Sequence, residues 1–476
     1  MFNSAVSAAR FLVSAAAVAA VSIVDPAWCQ GQQSGDAKPA AVSYYRSVRP
    51  ILQRSCSGCH FAGKREGGLS VTSVADLLKG GDAGAAAIVG KPDEGTLIGN
   101  VSGDDPAMPL NGTPLKPEQV LILRTWIEQG CIDDTPPAVE RVVSVENPPV
   151  YTRPPLVTSL DYSPDGRLLA VTGYHEVLLH TLDGSAAPRR LIGRAQRIES
   201  VAFSPNGEVL AVAGGTPALF GELQLWNVAE GKLLHSLTIG TDSLFGVSFS
   251  DDGSLVSVGG ADNRLRVIRV ESGEQQMRMD AHADWVLGTA FSLKNDHVIS
   301  VSRDRSMKLS IVSNGQFVDN ITSITPGALK GGLVDVQRLP GAEEVLAGGA
   351  DGEPRLYKIF REKARQIGDD FNLIRAYRKF DGRVTDVDVS KSGALFVAGS
   401  SGAVTGAARV YTVADPNKVV ELPGITGPVF AVSIRADEAQ VAVAGFDGIV
   451  RLFNAASGQL ESEFSAAPLT SATAQK

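Results

Sequence analysis

Cys56-Ser57-Gly58-Cys59-His60 brings two thiols and an imidazole together within five consecutive residues. Thiols three positions apart on one helical turn can reach the two vinyl groups of a single porphyrin and form thioethers. The adjacent imidazole then lies under the iron. The pattern reads as covalent attachment of one c-type haem through Cys56 and Cys59, with His60 as proximal ligand. The opposite axial position needs another donor. Residues 30–135 hold no other His and a single Met, Met108, followed directly by Pro109. A thioether there gives His/Met coordination, which closes both axial sites, raises the reduction potential and suits electron transfer rather than ligand chemistry. Other readings of the same residues fit less well. A redox-active C-x-x-C is expected in a βαβ setting, which is missing. A zinc site from Cys56, Cys59 and Cys131 lacks a second C-x-x-C, and neighbouring Cys59 and His60 struggle to reach one tetrahedral ion. A Cys56–Cys59 disulfide closes a small strained ring.

The elements that position these groups are legible around them. Lys116-Pro117-Glu118 opens a helix, with Pro suited to its first turn. Val120, Leu123, Ile127 and Cys131 then recur at helical spacing and are expected to face the haem or the first helix. Leu52, Leu115 and Trp126 complete an apolar shell, which lowers the local dielectric and helps set the potential. Under a hundred residues is a thin core, so the haem is expected to be needed for folding. Several motifs follow in order: Tyr45-Arg46-Ser47-Val48-Arg49-Pro50-Ile51-Leu52, Gly67-Gly68-Leu69, Leu78-Lys79-Gly80-Gly81, Gly90-Lys91-Pro92, Met108-Pro109 and Trp126-Ile127-Glu128-Gln129-Gly130. Together they resemble the planctomycete-type cytochrome c domain over residues 44–131, a domain often fused to propellers or other secreted modules. The resemblance implies an all-α domain with Cys56 and Cys59 as attachment sites and His60 and Met108 as axial ligands. Cys131 departs from it, standing where a small residue such as Ala is usual. It reads as a buried small hydrophobe near the end of the last helix rather than a dimerising thiol.

The larger part of the chain is a repeat. Ser163-Pro164-Asp165-Gly166, Ser204-Pro205-Asn206-Gly207 and Ser250-Asp251-Asp252-Gly253 each precede an apolar run, and weaker copies start at Ser292, Leu339, Ser390 and Arg435. A second column ends at His180, Trp226, Ile268, Ser310, Tyr357, Tyr411 and Phe453. Successive turns lie 41 to 51 residues apart, and each unit reads as four strands. The period resembles the WD40 family, over residues 156–464. That resemblance implies an all-β, seven-bladed propeller, because one four-stranded sheet cannot bury both faces alone. The family's Trp-Asp survives only as Trp226-Asn227, and its Gly-His only as Ala281-His282. The turn Asp is kept at Asp262, Asp304, Asp351 and Asp447, and His282 with Asp304 is the expected network pair. The last unit owns a fourth strand near residues 459–464, which leaves ring closure open. His175, His180, His235, His282 and His297 are scattered over several units, and His180 and His282 fall in structural columns. The repeats hold only Met277, Met279 and Met307 as methionines and no Cys, and therefore read as an interaction surface.

Length and composition bound these readings. The chain has 476 residues with 44 Lys+Arg against 52 Asp+Glu, a formal charge of −8, and 44% hydrophobic residues. That supports packed cores and argues against a nucleic-acid binder, which needs a basic surface. Four Cys exclude a disulfide-dense scaffold. Arg10 is the only charge in the first 24 residues, and an apolar run of fourteen residues ends before Ala27-Trp28-Cys29. This is a secretory signal pattern over 1–29, too short for a membrane span. An uncleaved anchor helix or a lipidated Cys29 are the alternatives. Residues 30–42 read as a flexible tether, 43–135 as the cytochrome c domain, 136–155 with three Pro-Pro pairs as a linker, 156–464 as the propeller and 465–476 as a disordered tail.

The whole reads as a periplasmic or otherwise exported electron carrier rather than a catalyst. Protein redox donors and acceptors are expected, together with a protein partner on the propeller, and no membrane span after cleavage. The rival reading is an interaction scaffold or sensor whose haem is structural or ligand-sensing. The linker is expected to meet the propeller at the face that carries the fourth-to-first and second-to-third strand connections. Insertions at Gly214–Glu222, Phe360–Asp381 and Ser400–Ala408 are expected on that same face, with the haem domain above it.

Overall fold

The computed structural model describes residues 41–57, 59–61, 64–110, 113–135, 143–280, 282–323, 329–366 and 368–470. The expected signal peptide, Cys29, most of the tether, Ala281 and residues 471–476 lie outside the described residues.

The small domain begins with a π-helical turn, Tyr44–Val48, capped by Ser43, whose Oγ accepts from the Arg46 amide at 2.9 Å. Four helices follow: α1 (Arg49–Ser55), α2 (Val74–Lys79), α3 (Thr96–Val101) and α4 (Pro117–Glu128). α4 opens as its sequence requires: Pro117 fills the first turn and Gln119 Oε1 accepts from the Lys116 amide at 2.9 Å. The beginning and end of the domain are tied together. The Val42 amide donates to Gln129 Oε1 at 2.6 Å, and the Tyr44 ring lies 5.4 Å from Trp126. Tyr44, Val48 and Leu52 thereby join Leu123, Trp126 and Ile127 in one core, each side chain contributing about 1.5–3 kcal/mol by leaving water.

Two sequence expectations need correction here. The domain is not purely helical: β1 (His60–Phe61) pairs antiparallel with β2 (Lys64–Arg65), His60 facing Arg65. Cys131 lies beyond the end of α4 and not on it. Gly130 and Cys131 both take positive φ, and the Cys131 amide closes onto the Trp126 carbonyl at 3.1 Å, so the chain turns back and buries the thiol in the core.

From Leu160 to Ser465 every sheet among the described residues is antiparallel. The first sheet has seven strands: β3 (Leu160–Tyr162), β4 (Leu168–Thr172), β5 (Tyr174–Thr181), β6 (Arg189–Phe203), β7 (Val209–Thr216), β8 (Phe220–Asn227) and β9 (Lys232–Ile239). β6 pairs with β5 through its first part and with β7 through its last, so one fifteen-residue strand serves two repeats. Five four-stranded sheets follow over residues 244–279, 286–320, 333–376, 383–422 and 429–465, each in simple up-and-down order.

Neighbouring repeats are stitched through their first strands, the first pair of them within the seven-stranded sheet. Asp161 accepts from the Phe203 amide at 2.7 Å, Asp335 from Val387 at 3.1 Å, Asp386 from Val432 at 2.7 Å and Asp388 from Ile434 at 2.8 Å. The first and last sheets also share a core in which Leu160, Tyr162 and Val171 meet Ala431, Ala442 and Val450. The Val157 amide donates to Gly445 O at 3.0 Å. The expected tail is partly ordered for the same reason. Ala466 and Ala467 are buried, Leu469 bridges to Tyr151, and the Thr470 amide donates to Tyr151 O at 2.9 Å.

The loop expectations are met in two cases of three. The loops at Thr216–Phe220 and Ser401–Gly406 do join second to third strands. The long segment of the 333–376 sheet does not share their face. It runs from Ile359 to Asn372, between strands Arg355–Lys358 and Leu373–Ala376, and so joins third to fourth strand at the opposite end. Its Arg361 and Arg365 fold back on Asp319, at 3.2 and 2.9 Å, which holds the segment against the preceding sheet.

Candidate functional site

α1 delivers the thiols. It stops at Ser55, but the Cys56 carbonyl continues the turn by accepting from the Cys59 amide at 3.2 Å and the His60 amide at 3.1 Å. Cys56, Cys59 and His60 therefore leave one turn together, as the C-x-x-C-H spacing requires. His60 is then fixed as the first residue of β1, its carbonyl accepting from Val71 at 2.9 Å. The turn's anchor is Ser57, buried, with both its amide and its hydroxyl directed at Leu52 O, at 3.0 and 3.1 Å.

Met108 arrives from the other side of the domain's sequence. Its amide donates to Asn100 O, at the end of α3, at 2.9 Å. The Met108 and Cys56 side chains are both half-buried against one apolar cluster, which holds Leu52, Leu115, Leu123 and Trp126. Burial pushes the Cys56 thiol up to about 11 and raises Cys131 as well, so both stay protonated at neutral pH. Cys56, Cys59 and Cys131 are all free thiols. One nitrogen of the His60 ring, Nδ1, is buried without a hydrogen-bond partner. A buried polar atom left unpaired costs about 1–3 kcal/mol, so this imidazole has capacity the protein does not use. Two free thiols, that imidazole and a thioether against an apolar cluster fit a covalently held haem. Cys56 and Cys59 would hold it, and His60 and Met108 would face its iron.

The glycine motifs have a physical reason that spacing alone did not expose. The Asp82 amide donates to Gly67 O at 2.7 Å, and a Cβ on Gly81 would lie 2.2 Å from that same oxygen. Gly67-Gly68 and Gly80-Gly81 are thus two sides of one close backbone contact that frames the segment after β2. Gly90-Lys91-Pro92 docks on α4: the Gly90 amide reaches Ile127 O at 2.9 Å, and Arg124 clamps Asp93 at 2.9 and 2.6 Å.

In the sheets, His282 and Asp304 are paired as expected, at 2.9 Å, and the other ring nitrogen lies 2.8 Å from Ser300 Oγ. Where no such His exists the turn Asp takes an Arg four residues on. Asp351 pairs with Arg355 at 2.6 Å and Asp447 with Arg451 at 2.7 Å. Asp262 pairs with the nearly buried Arg266 in the same way. The sequence carries this signal as D-x-x-x-R after the second strand, outside the family's Trp-Asp and Gly-His pattern. His180 is packed on Phe464 with Nε2 2.9 Å from Ala466 O, and His235 Nε2 lies 2.9 Å from Glu271 O. His297 Nδ1 lies 2.8 Å from Asp296, and Met277, Met279 and Met307 are buried.

Comparison with known proteins matches this division. Residues 56–110 match the family model for planctomycete cytochrome C. Residues 231–269 and 273–309 match the WD domain, G-beta repeat. Over 91 residues the chain is 32% identical to WD repeat and SOCS box-containing protein 1 of Homo sapiens and 34% identical to that of Danio rerio. Each alignment covers 19% of this chain and only 22% of the relative's own length. The chain thus joins a cytochrome c-like domain to WD40 repeats, which supports a haem-binding protein with a protein-interaction platform. No helix among the described residues is long and apolar enough to cross a membrane.

Proposed function

We propose that this chain is an exported c-type cytochrome, carrying one haem covalently bound through Cys56 and Cys59 with His60 and Met108 as axial ligands, and that its repeats form a seven-bladed propeller that docks a protein partner. The observation that carries the haem reading is the single turn that presents both thiols and His60, whose ring keeps a buried nitrogen unpartnered. The haem would supply an Fe(III)/Fe(II) couple that takes one electron from a protein donor and passes it to a protein acceptor. The chain's own residues hold and shield it. The thiols would fix its position, Leu52, Leu115 and Trp126 would keep water from it, and Met108 would offer its thioether to the iron.

The seven-stranded sheet, taken as two units that share β6, together with the five four-stranded sheets supports the count of seven blades. The contact between first and last sheets, through Tyr162 with Ser433 at 3.4 Å and through the common core, supports closure by packing and by the Tyr151–Leu469 bridge.

The test is chemical. Protein made in a host that matures c-type haem should keep its haem stain through denaturing electrophoresis, and Cys56→Ser with Cys59→Ser should abolish it. The oxidised protein should show a weak long-wavelength sulfur–iron band that Met108→Ala removes. Carbon monoxide binding to the reduced native protein would instead favour the sensor reading. Mass spectrometry of the exported protein should find a mature N-terminus near residue 30.

A further inference from the structure

A cleft of about 1250 Å³ opens where the linker meets the first sheet. One wall is Pro148, Pro149 and Tyr151 from the linker, and another is Pro217 from the loop between β7 and β8. Among the described residues its lining includes Arg49, Arg194, Arg197 and His175, and no Asp or Glu. That is an unusual concentration in a chain whose formal charge is −8.

The cations are held ready rather than neutralised. Arg194 lies 5.0 Å over the Phe220 ring, and its Nη1 donates to Thr238 Oγ1 at 3.1 Å, so its charge faces no carboxylate. Arg49 stacks on Tyr45 at 5.5 Å. Among the described residues, Arg197 alone of the three has an acidic partner, Glu199 at 2.6 Å, and its side chain is still 60% exposed.

His175 adds an independent sign. It occupies a β-bulge in β5 with φ +63, a costly conformation for a residue with a Cβ. Its Nδ1 is buried without a partner, and its ring meets the edge of Tyr174, which is 49% exposed. Strain, an unused buried nitrogen and an exposed aromatic at one bulge are features of a site built for something other than its own fold. Burial holds the imidazole below its usual range, against the pull of the Glu222 charge, so at neutral pH it is an uncharged hydrogen-bonding group.

We propose that this cleft binds an acidic, extended polypeptide segment of a partner protein, with carboxylates on Arg194 and Arg197 and backbone polar groups on His175. This rests on reading the repeats as a docking platform and adds where the partner sits and what charge it carries. The volume exceeds the roughly 300–1000 Å³ of ordinary small-molecule pockets, and its arginines are spread along β6, three residues apart, and onto α1, which suits a chain rather than a compact anion. Guanidinium groups on aromatic faces are pre-organised for carboxylates.

The test uses the haem-loaded full chain and fluorescein-labelled hexaglutamate, followed by anisotropy at low salt. Binding is expected, with loss toward about 150 mM salt, and hexalysine should not bind. Arg194→Glu should weaken hexaglutamate at least about tenfold, Arg194→Gln by less, while Lys391→Glu, the same charge change on an exposed turn elsewhere, should leave it unchanged. Equal losses in Arg194→Glu and Lys391→Glu would reduce the effect to net charge and overturn the proposal. So would displacement by an equal concentration of free glutamate, which would make this a small-anion site. The haem spectrum separates the two readings. Failed binding with an intact spectrum overturns the cleft alone, whereas binding to a chain without covalent haem overturns the cytochrome reading and leaves the cleft.

Discussion

His282 Nδ1 lies 2.9 Å from Asp304 Oδ2, and the pair is closed in from every side. The other ring nitrogen meets Ser300 Oγ at 2.8 Å, Ser306 Oγ donates to Asp304 at 2.6 Å, and the Ala283 amide donates to it at 2.9 Å. Burial alone would raise the Asp304 carboxyl, but the hydrogen bonds from His282, Ser306 and Ala283 outweigh it and hold the group well below the usual carboxylate range.

Asp304→Asn should therefore destabilise the sheets by about 2–3 kcal/mol at neutral pH. A depressed carboxyl contributes its stability above the unfolded value, about 4, and loses it as pH falls toward the folded one. The gap between wild type and Asp304→Asn, read from urea midpoints, should be constant from pH 5 to 7 and narrow below about pH 4. A gap that widens in acid would refute the assignment.

That pair was legible because His282 and Asp304 occupy fixed columns of the repeat. The repeat was legible because its turns have local chemistry. Ser163 Oγ donates to Asp165 at 2.6 Å, Ser204 Oγ to Asn206 at 2.7 Å and Ser250 Oγ to Asp252 at 2.6 Å, each followed by a glycine at φ near +70. The haem motif was legible for the same reason: its two thiols and imidazole fall within five consecutive residues. What stayed hidden depends on distant backbone. The continuity of β6 through two repeats, the direction of the 359–372 segment and the Gly67–Gly81 contact leave no periodic trace. The all-α expectation failed at His60–Arg65 because a two-residue ribbon is too short to show alternation.

Arg266 tests the alternative pairing. Its side chain is only 5% exposed and its Nη1 donates to Asp262 at 3.1 Å. Burial would raise Asp262, and Arg266 more than compensates. Arg266→Met should cost about 2–3 kcal/mol by leaving a half-buried carboxylate with only the longer Arg264 contact, at 3.6 Å. Adding Asp262→Leu should recover most of it, as a double-mutant cycle would read. Additive losses would mean that the two side chains do not depend on each other.

Gly81→Ala should destabilise the small domain by about 1–3 kcal/mol, since the new Cβ would meet Gly67 O at 2.2 Å and the Leu69 amide nitrogen at 2.8 Å. Gly99 provides the control. It lies in α3 with nothing within 4 Å of a Cβ, so Gly99→Ala should stabilise by about 0.5–1 kcal/mol. Guanidinium unfolding followed by haem absorbance reads both, and equal shifts would show that the close contact carries no strain.

Asp161 should make the sheets less stable in alkali. Burial, with the nearby Asp388 charge, pushes its carboxyl up to about 8, and burial takes Asp388 to about 6. A folded value above the unfolded one, near 4, means the protonated group supports the fold, and that support drains away as pH rises from about 4 through 8. Asp161→Asn has no proton to lose, yet its side-chain oxygen can still accept from the Phe203 amide. The variant should match wild type near pH 5 and exceed it by more than about 1 kcal/mol near pH 9. Asp388 titrates within the same window, so a shallower slope should remain in the variant. Parallel stability curves for the two proteins between pH 5 and 9 would show that Asp161 is already ionised in the folded chain.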